Sequence, residues 1–327
     1  MTKILSLYPN CSKGGMTTVY RTRALASPED KHDFIFMNDR GGREAFNSLP
    51  NTDYRIFAKG RFTPAIKYIA QNFDYDQIRV TSMPEAANQL SQTLPGKVTY
   101  EFHSSTVAII ESELSRLDID ALQSIQTPSN WLTNVVSRRL TRSQAEKCVT
   151  VPNLVDQGTF NRSVPPTDRL LPEGTVPILW IGRFDKGKNF NDFLRVLSIL
   201  PQSFIPIVVV SYETEPDRIS RALQEARSYG VADRILTHLN LSQNQLAGLY
   251  TWTRDHGGLF VSTSLAESFG YSIAEALACG LPTVAYRVGG VPEVPTFGTR
   301  HQLVPVGNVY QMAAAVESLR LGSQTSA

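Results

Sequence analysis

Residues 257–294 read GGLFVSTSLAESFGYSIAEALACGLPTVAYRVGGVPEV, and the fold class follows from this stretch. GGLFVST (257–263) has the length and apolar content of a buried strand, GYSIAEALACG (270–280) has helical spacing, and LPTVAYR (281–287) is a second buried strand. A strand, a helix and a strand within about thirty residues make a βαβ unit, whose two strands must run parallel.

The same alternation extends toward both ends. HQLVPV (301–306) and the helix YQMAAAVESLRL (310–321) follow it. The strands PILWIG (177–182), FIPIVVVS (204–211) and DRILTHL (233–239) precede it, separated by the helical patterns FNDFLRVLSIL, EPDRISRALQEARSYG and SQNQLAGLYTWT. Upstream of these, the Pro-rich segment RSVPPTDRLLPEGTVP (162–177) breaks the periodicity and reads as an interdomain passage. Before it come seven more short apolar runs: KILSLY (3–8), HDFIFM (32–37), DYRIFA (53–58), QIRVTSM (77–83), KVTYEFH (97–103), SIQTPS (124–129) and KCVTVPN (147–153). Helical patterns such as MTTVYRTRALA, PAIKYIAQNF, EAANQLSQTL and NWLTNVVSRRLTR lie between most of them. The expectation is an α/β protein of two Rossmann-like domains facing each other across a cleft. The N-terminal domain spans 1–157, a linker 158–176 and the C-terminal domain 177–327. Ligands of open parallel sheets sit beyond the carboxyl ends of the strands, so chemistry is sought in the residues that follow each strand.

Composition agrees with that frame and removes other classes. The 327 residues are 42% hydrophobic and 19% charged, with a formal net charge of +2. Divided after Gln157, the chain has 18 basic and 16 acidic residues in the first part and 14 of each in the second. Neither a disordered regulator nor a strongly basic nucleic-acid binder has this balance. The three cysteines, Cys11, Cys148 and Cys279, are far apart and show no metal-ligand spacing, so neither a disulfide scaffold nor a structural zinc site is expected. The apolar run Ile4–Leu7 is far too short for a signal-peptide core, and no apolar stretch reaches the ~18 residues of a membrane span. A cytoplasmic chain, at most peripheral to a membrane, is expected.

Two segments carry chemistry. In the first, Glu267 lies in the loop after a strand, and Glu275 lies inside the helix that opens near Phe269, Gly270, Tyr271 and Ser272. Unpaired amides at a helix start attract phosphate, and a carboxylate can accept two hydroxyl hydrogen bonds from the same ligand. Each Glu taken alone is an ordinary solvated helix or loop residue; the combination is what signals a site. In the second segment, WIGRFDKGKNF, Arg183 and Lys188 stand five residues apart just after a strand, suited to clamping a diphosphate.

The E-x7-E pair Glu267/Glu275, framed by its strand and by CGLPTVAYRVGGVPE, closely resembles the retaining glycosyltransferases of family 4 and their GT-B relatives. Arg183 and Lys188 match that family's GR…K motif, although Asn189 stands where Gly often follows the Lys, and Lys186 is an additional cation. The resemblance implies a nucleotide-diphosphate sugar as co-substrate, most often a UDP-sugar, and hexosyl transfer with retention that needs no metal. Glu267 would contact the sugar near its anomeric carbon, and Glu275 would bind the ribose. Arg183 and Lys188 would grip the diphosphate, while the backbone from Phe269 to Ser272 would contact sugar and phosphate. The first half matches more weakly. Gly14 and Gly15 follow the first strand, where their amides would approach the diphosphate. His103 ends KVTYEFH and resembles the family histidine whose ring reaches the sugar. VPNLVD (151–156) resembles the VPNGVD that closes the first domain, with Leu154 in place of Gly.

Competing chemistries are poorly supported. Asp74-Tyr75-Asp76 precedes a strand and Asp118-Ile119-Asp120 falls in what reads as an amphipathic helical region, so both look like surface positions rather than a diphosphate–metal motif. No GxGxxG, Walker or GxSxG pattern occurs. The helix that commonly crosses back to the first domain in this family is expected to be absent, which suggests a minimal enzyme of phage or metagenomic type. No obligate protein partner is implied. The acceptor is left open among glycan, lipid, polymer and hydroxymethylated phage DNA. Scattered cations in NDRGGR (38–43), at Lys59 and Arg61 and at Arg138, Arg139 and Arg142 would suit a polyanion or an anionic surface, and equally an ordinary solvated face. A GT-B nucleotide-sugar epimerase and an inactive sugar-nucleotide-binding module stand as alternative functions.

Overall fold

The computed structural model describes every residue except Lys13, Asp168, Arg169, 211–215 and 325–327. Ser211 and Glu215, read above as parts of a strand and a helix, and Asp168 and Arg169 of the expected passage therefore lie outside the described residues. Spatial contacts divide the chain into two units, Met1–Leu154 and Val155–Ala327. The division falls inside VPNLVD.

The first unit is built on a seven-stranded parallel sheet of β1 (Lys3–Ser12), β2 (Lys31–Arg40), β3 (Thr52–Ile56), β4 (Gln77–Thr81), β5 (Val98–Glu101), β6 (Ser124–Thr127) and β7 (Cys148–Thr150). Its order is β3-β2-β1-β4-β5-β6-β7. The helices α1 (Gly15–Ala26), α2 (Lys59–Asn72), α3 (Pro84–Thr93), α4 (Val107–Leu114), α5 (Asn130–Ser137) and the single turn α6 (Arg142–Ala145) alternate with the strands. Leu5, Leu7, Ile78, Val80, Val98, Tyr100 and Ile125 are fully buried in the core, as strands covered on both faces require.

Two readings of this half are corrected. Asp118 and Asp120 do not lie on a helix: α4 ends at Leu114, and they sit in the turn before β6, where Asp118 accepts from the Ala121 amide and Asp120 from Gln144. NWLTNVVSRRLTR is not one helix either. It stops at Ser137 and restarts at Arg142 under a Thr141/Gln144 capping box, whose reciprocal bonds satisfy the new helix's first amides.

The second unit holds a six-stranded parallel sheet of β8 (Val176–Gly182), β9 (Phe204–Val210), β10 (Leu236–Leu239), β11 (Leu259–Ser262), β12 (Thr283–Tyr286) and β13 (His301–Val304), in the order β10-β9-β8-β11-β12-β13. Its helices are α7 (Phe190–Ile199), α8 (Pro216–Ser228), α9 (Gln243–Asp255), α10 (Tyr271–Ala278) and α11 (Val309–Gln324). Residues read as passage belong to this unit: Phe160 is buried in its core, Arg162 donates to the Phe297 carbonyl at 3.1 Å, and the Thr167 amide donates to the Gly248 carbonyl at 3.2 Å. A buried aromatic anchors this stretch against the second sheet, which proline content alone did not reveal.

In both parallel sheets the order in which strands are added reverses once, between β1 and β4 and between β8 and β11. That reversal parts the loops at the carboxyl ends of two adjacent strands and opens a crevice there. In the second unit those loops begin at Arg183 and Thr263. No helix of the described residues is long and apolar enough to cross a membrane.

Candidate active site

The loop after β8 is shaped by Asp185. Its carboxylate accepts Arg183 Nε at 2.9 Å through one oxygen and the Lys188 amide at 2.9 Å through the other, while its carbonyl accepts the Asn189 amide. The chain then turns sharply into α7 at Asn189, whose φ is +52°. Asn is, after Gly, among the residues that tolerate this left-handed conformation. Lys186 is exposed on the outside of the loop.

The loop after β11 is tied to it. Thr263, buried just beyond the strand, accepts the Trp180 indole N–H at 3.1 Å and faces the Lys188 and Asn189 carbonyls at 3.1 and 2.9 Å. The Leu265 amide donates to the Gly187 carbonyl at 2.8 Å. These bonds bring Lys188 Nζ to 2.5 Å from Glu267 Oε1, across 79 residues of sequence, in a largely shielded ion pair. From the other side the Gly290 amide donates to the Glu267 carbonyl at 2.9 Å. Gly289 has φ +54°, and a Cβ built on it would lie 1.9 Å from that carbonyl oxygen. Only glycine fits.

Glu275 stands one helical turn into α10, which starts at Gly270 with φ +103°, a conformation suited to glycine. Its side chain is 7% exposed. Tyr250 from α9 donates to the Ser272 carbonyl at 3.1 Å and lies 3.4 Å from Glu275 Oε2. Burial pushes the Glu275 carboxyl up to about 8; Asp156 adds to that, and the Tyr250 hydroxyl opposes it. Phe269 is buried in the core and packs edge-on against Tyr271, so only its backbone is available to a ligand.

Among the expected site residues, the second unit thus gathers Lys188 and Glu267 into direct contact, and Tyr250 links Ser272 to Glu275. Arg183 is held by Asp185 on the Lys188 loop. In the first unit, Gly14 and Gly15 form the cap and first residue of α1, and His103 follows β5. His103 Nε2 lies 3.7 Å from Glu101 Oε2. Asp74 and Asp76 precede β4, at the opposite end of the sheet from the strand-end loops, and Asp76 accepts the Lys3 amide at 2.8 Å. Asp185, Thr263, Trp180, Tyr250 and Glu101 were not singled out from sequence, although Trp180 and Asp185 lay inside the motif WIGRFDKGKNF.

Residues 166–326 match the family described as glycosyl transferases group 1. The second unit belongs to that family. D-inositol 3-phosphate glycosyltransferase of Xylanimonas cellulosilytica is 32% identical over 165 residues, which cover 48% of this chain and 39% of that protein. The serotype-specific mannosyltransferase WbdA of Escherichia coli is 32% identical over 121 residues, 36% of this chain and 14% of that protein. The chain thus spans well under half the length of these group 1 relatives. Among solved structures, Anabaena HepE in complex with UDP and glucose has a TM-score of 0.80 at 17% identity, covering 99% of this chain and 91% of that one. Sucrose-phosphate synthase from Thermosynechococcus elongatus has a TM-score of 0.74 at 17% identity, with 99% and 98% covered. Likeness over nearly the whole chain gives it the fold of GT-B glycosyltransferases.

Proposed function

We propose that the chain transfers a hexose from a nucleotide-diphosphate sugar, with UDP-glucose or UDP-GlcNAc as the first donors to test, to a hydroxyl acceptor with retention of configuration and without a metal. The observation that carries this reading is the meeting of Lys188 and Glu267 at the switch point of the second sheet. A diphosphate bears negative charge and a sugar bears hydroxyl donors. A cation and a carboxylate within one hydrogen bond of each other match the junction of the two groups. The solved complexes of HepE with UDP and with UDP-glucose add support through shared fold.

In this reading the diphosphate is the leaving group. As the glycosidic bond lengthens, negative charge grows on the phosphate and positive charge on the anomeric carbon. Arg183, Lys188 and the amides at the start of α10 offset the first, and Glu267 supports the second. These cations do the work that a bound metal would otherwise do. Glu275 accepts the ribose hydroxyls. A front-face displacement, in which the acceptor attacks from the side the phosphate leaves, gives retention without a covalent enzyme intermediate. In the first unit, the amides of Gly14 and Gly15 and His103 are assigned to the same reaction.

The test is release of nucleotide from UDP-glucose, UDP-GlcNAc and GDP-mannose, with and without chelator, offered glycan, lipid, teichoic-acid-like and hydroxymethylated-DNA acceptors at several salt concentrations. Transfer to give an α-linked product, unaffected by chelator, is expected. Epimerised donor without nucleotide release would point to an epimerase, and binding without turnover to a binding module; either would overturn the proposal. A rate that falls steeply with salt identifies a polyanionic acceptor.

A further inference from the structure

Glu101 is the last residue of β5 and its side chain is fully buried. Three groups converge on its carboxylate. Arg23 of α1 donates to Oε1 at 2.7 Å, Thr81 at the end of β4 donates to Oε2 at 3.2 Å, and His103 Nε2 lies 3.7 Å from Oε2. Tyr20, one turn before Arg23 on α1, donates to Thr81 at 3.2 Å. The chain stays extended past β5, since the Phe102 amide donates to the Gln126 carbonyl at 2.9 Å. Residues 101 and 103 therefore project to the same side, while Phe102 projects to the other and is buried in the core.

Net stability is a weak reason for burying such a pair. Desolvating a carboxylate and a guanidinium costs about as much as their attraction returns, and apolar residues of similar volume often serve as well or better. Burial alone would raise the Glu101 pKa; the charge of Arg23, with His103 and Arg79 contributing, outweighs it and holds the carboxyl far below its usual range. The carboxylate is thus a fixed negative charge. Among its partners, His103 alone carries a ring that can both donate and accept a proton.

We propose that Glu101 is a positioning residue for His103, holding the imidazole with its proton on Nε2 so that Nδ1 is presented as an acceptor to a substrate hydroxyl. The geometry supplies the parts: a charge clamped from two sides by Arg23 and Thr81, and a ring nitrogen facing it. At 3.7 Å the contact is longer than a hydrogen bond, so the carboxylate acts on the ring through its charge and favours the proton on the nearer nitrogen, which leaves the other nitrogen without its proton in the neutral ring. The proposal deepens the function proposed above and rests on its assignment of His103.

Two measurements on the full chain separate the layers. Long-range 15N–1H spectra of the imidazoles, with the His103 signals assigned by their loss in His103→Ala, read the tautomer directly. The wild type is expected to show His103 as the Nε2–H form, and Glu101→Gln a mixture. Identical spectra would overturn the proposal whatever the protein's activity. The second measurement is kcat and donor KM for UDP release from UDP-glucose. Glu101→Gln should lower kcat about tenfold with donor KM within about twofold, and should have no further effect in the His103→Ala background. An additive loss in that background would mean a merely structural role and would refute the assignment. Glu101→Asp keeps a charge opposite Arg23, guarding against a variant that fails to fold. It should still unfold cooperatively, at a lower Tm than the wild type, and show a His103-dependent loss of kcat. If His103→Ala itself leaves kcat unchanged while the tautomer shifts in Glu101→Gln, the catalytic reading of His103 fails and the positioning survives.

Discussion

Replacing Glu275 by Gln should make the protein more resistant to heat at high pH while removing the function of the residue. Glu275 is 7% exposed as a residue, its carboxyl lies 3.4 Å from the Tyr250 hydroxyl, and burial raises its pKa from the ordinary 4.5 to about 8. Because folding raises this pKa, the group costs nothing below about pH 4.5. The penalty for ionising it grows as pH rises and is complete above about 8. A gap of 3.5 pH units corresponds to about 5 kcal/mol. Gln has nearly the same shape and pays no such penalty. Most of this difference accrues between pH 5 and 9. At roughly 2–4 °C per kcal/mol for a unit of this size, the Tm of Glu275→Gln relative to wild type should swing upward by about 10 °C over that range. Calorimetric melts of both proteins at matched ionic strength read this directly. Donor binding, measured in parallel with UDP above pH 8 where Glu275 is ionised, should be weaker in the variant, because an amide accepts fewer hydroxyl bonds than a carboxylate. Tm curves that run parallel from pH 5 to 9 would refute the reasoning, since they would mean that Glu275 titrates normally in the folded chain.

Glu267 competes with phosphate for Lys188, so Glu267→Gln should bind sugar-free UDP several-fold more tightly, in line with the ~1 kcal/mol of a partly shielded ion pair, while transfer from UDP-glucose falls; titration calorimetry with UDP checks the sign. Thr263→Val leaves the Trp180 indole N–H without its acceptor and unties the Lys188 loop, which should cost about 1–3 kcal/mol in denaturant unfolding and raise the donor KM. Asn189→Gly should be neutral to thermal stability, whereas Asn189→Ala should lose about 1 kcal/mol, because φ +52° strains an ordinary side chain.

Much of the fold was legible because most strands are buried and read as short apolar runs; thirteen runs matched β1–β13, including the less buried β3, β7 and β10. Helix α4 was passed over for a physical reason. Its Val107 and Ile109 are exposed while Glu113 is buried beneath the Tyr100 hydroxyl, so VAIIESEL shows no conventional apolar stripe. At the site, Lys188 and Glu267 announced themselves because charged residues stand just after apolar strands. Thr263, Trp180 and Glu101 did not. Apart from the approach of Glu101 to His103, their contacts reach residues 20 to 83 positions away, such as Trp180 with Thr263 and Arg23 with Glu101. No local spacing encodes such a contact. The left-handed turn at Asn189 was equally silent, since Asn occurs in loops of every conformation.

The glycine at 289 sets a boundary for anyone wishing to vary the residues around Glu267. With a Cβ there only 1.9 Å from the Glu267 carbonyl oxygen, and φ already at +54°, a saturation library at this position should return a single functional residue. Diversity spent there is wasted. The peptide that carries Glu267 behaves as a fixed datum against which the rest of the pocket can be varied. Retuning is better directed at side chains around that datum, such as Leu265, which is exposed on the same loop.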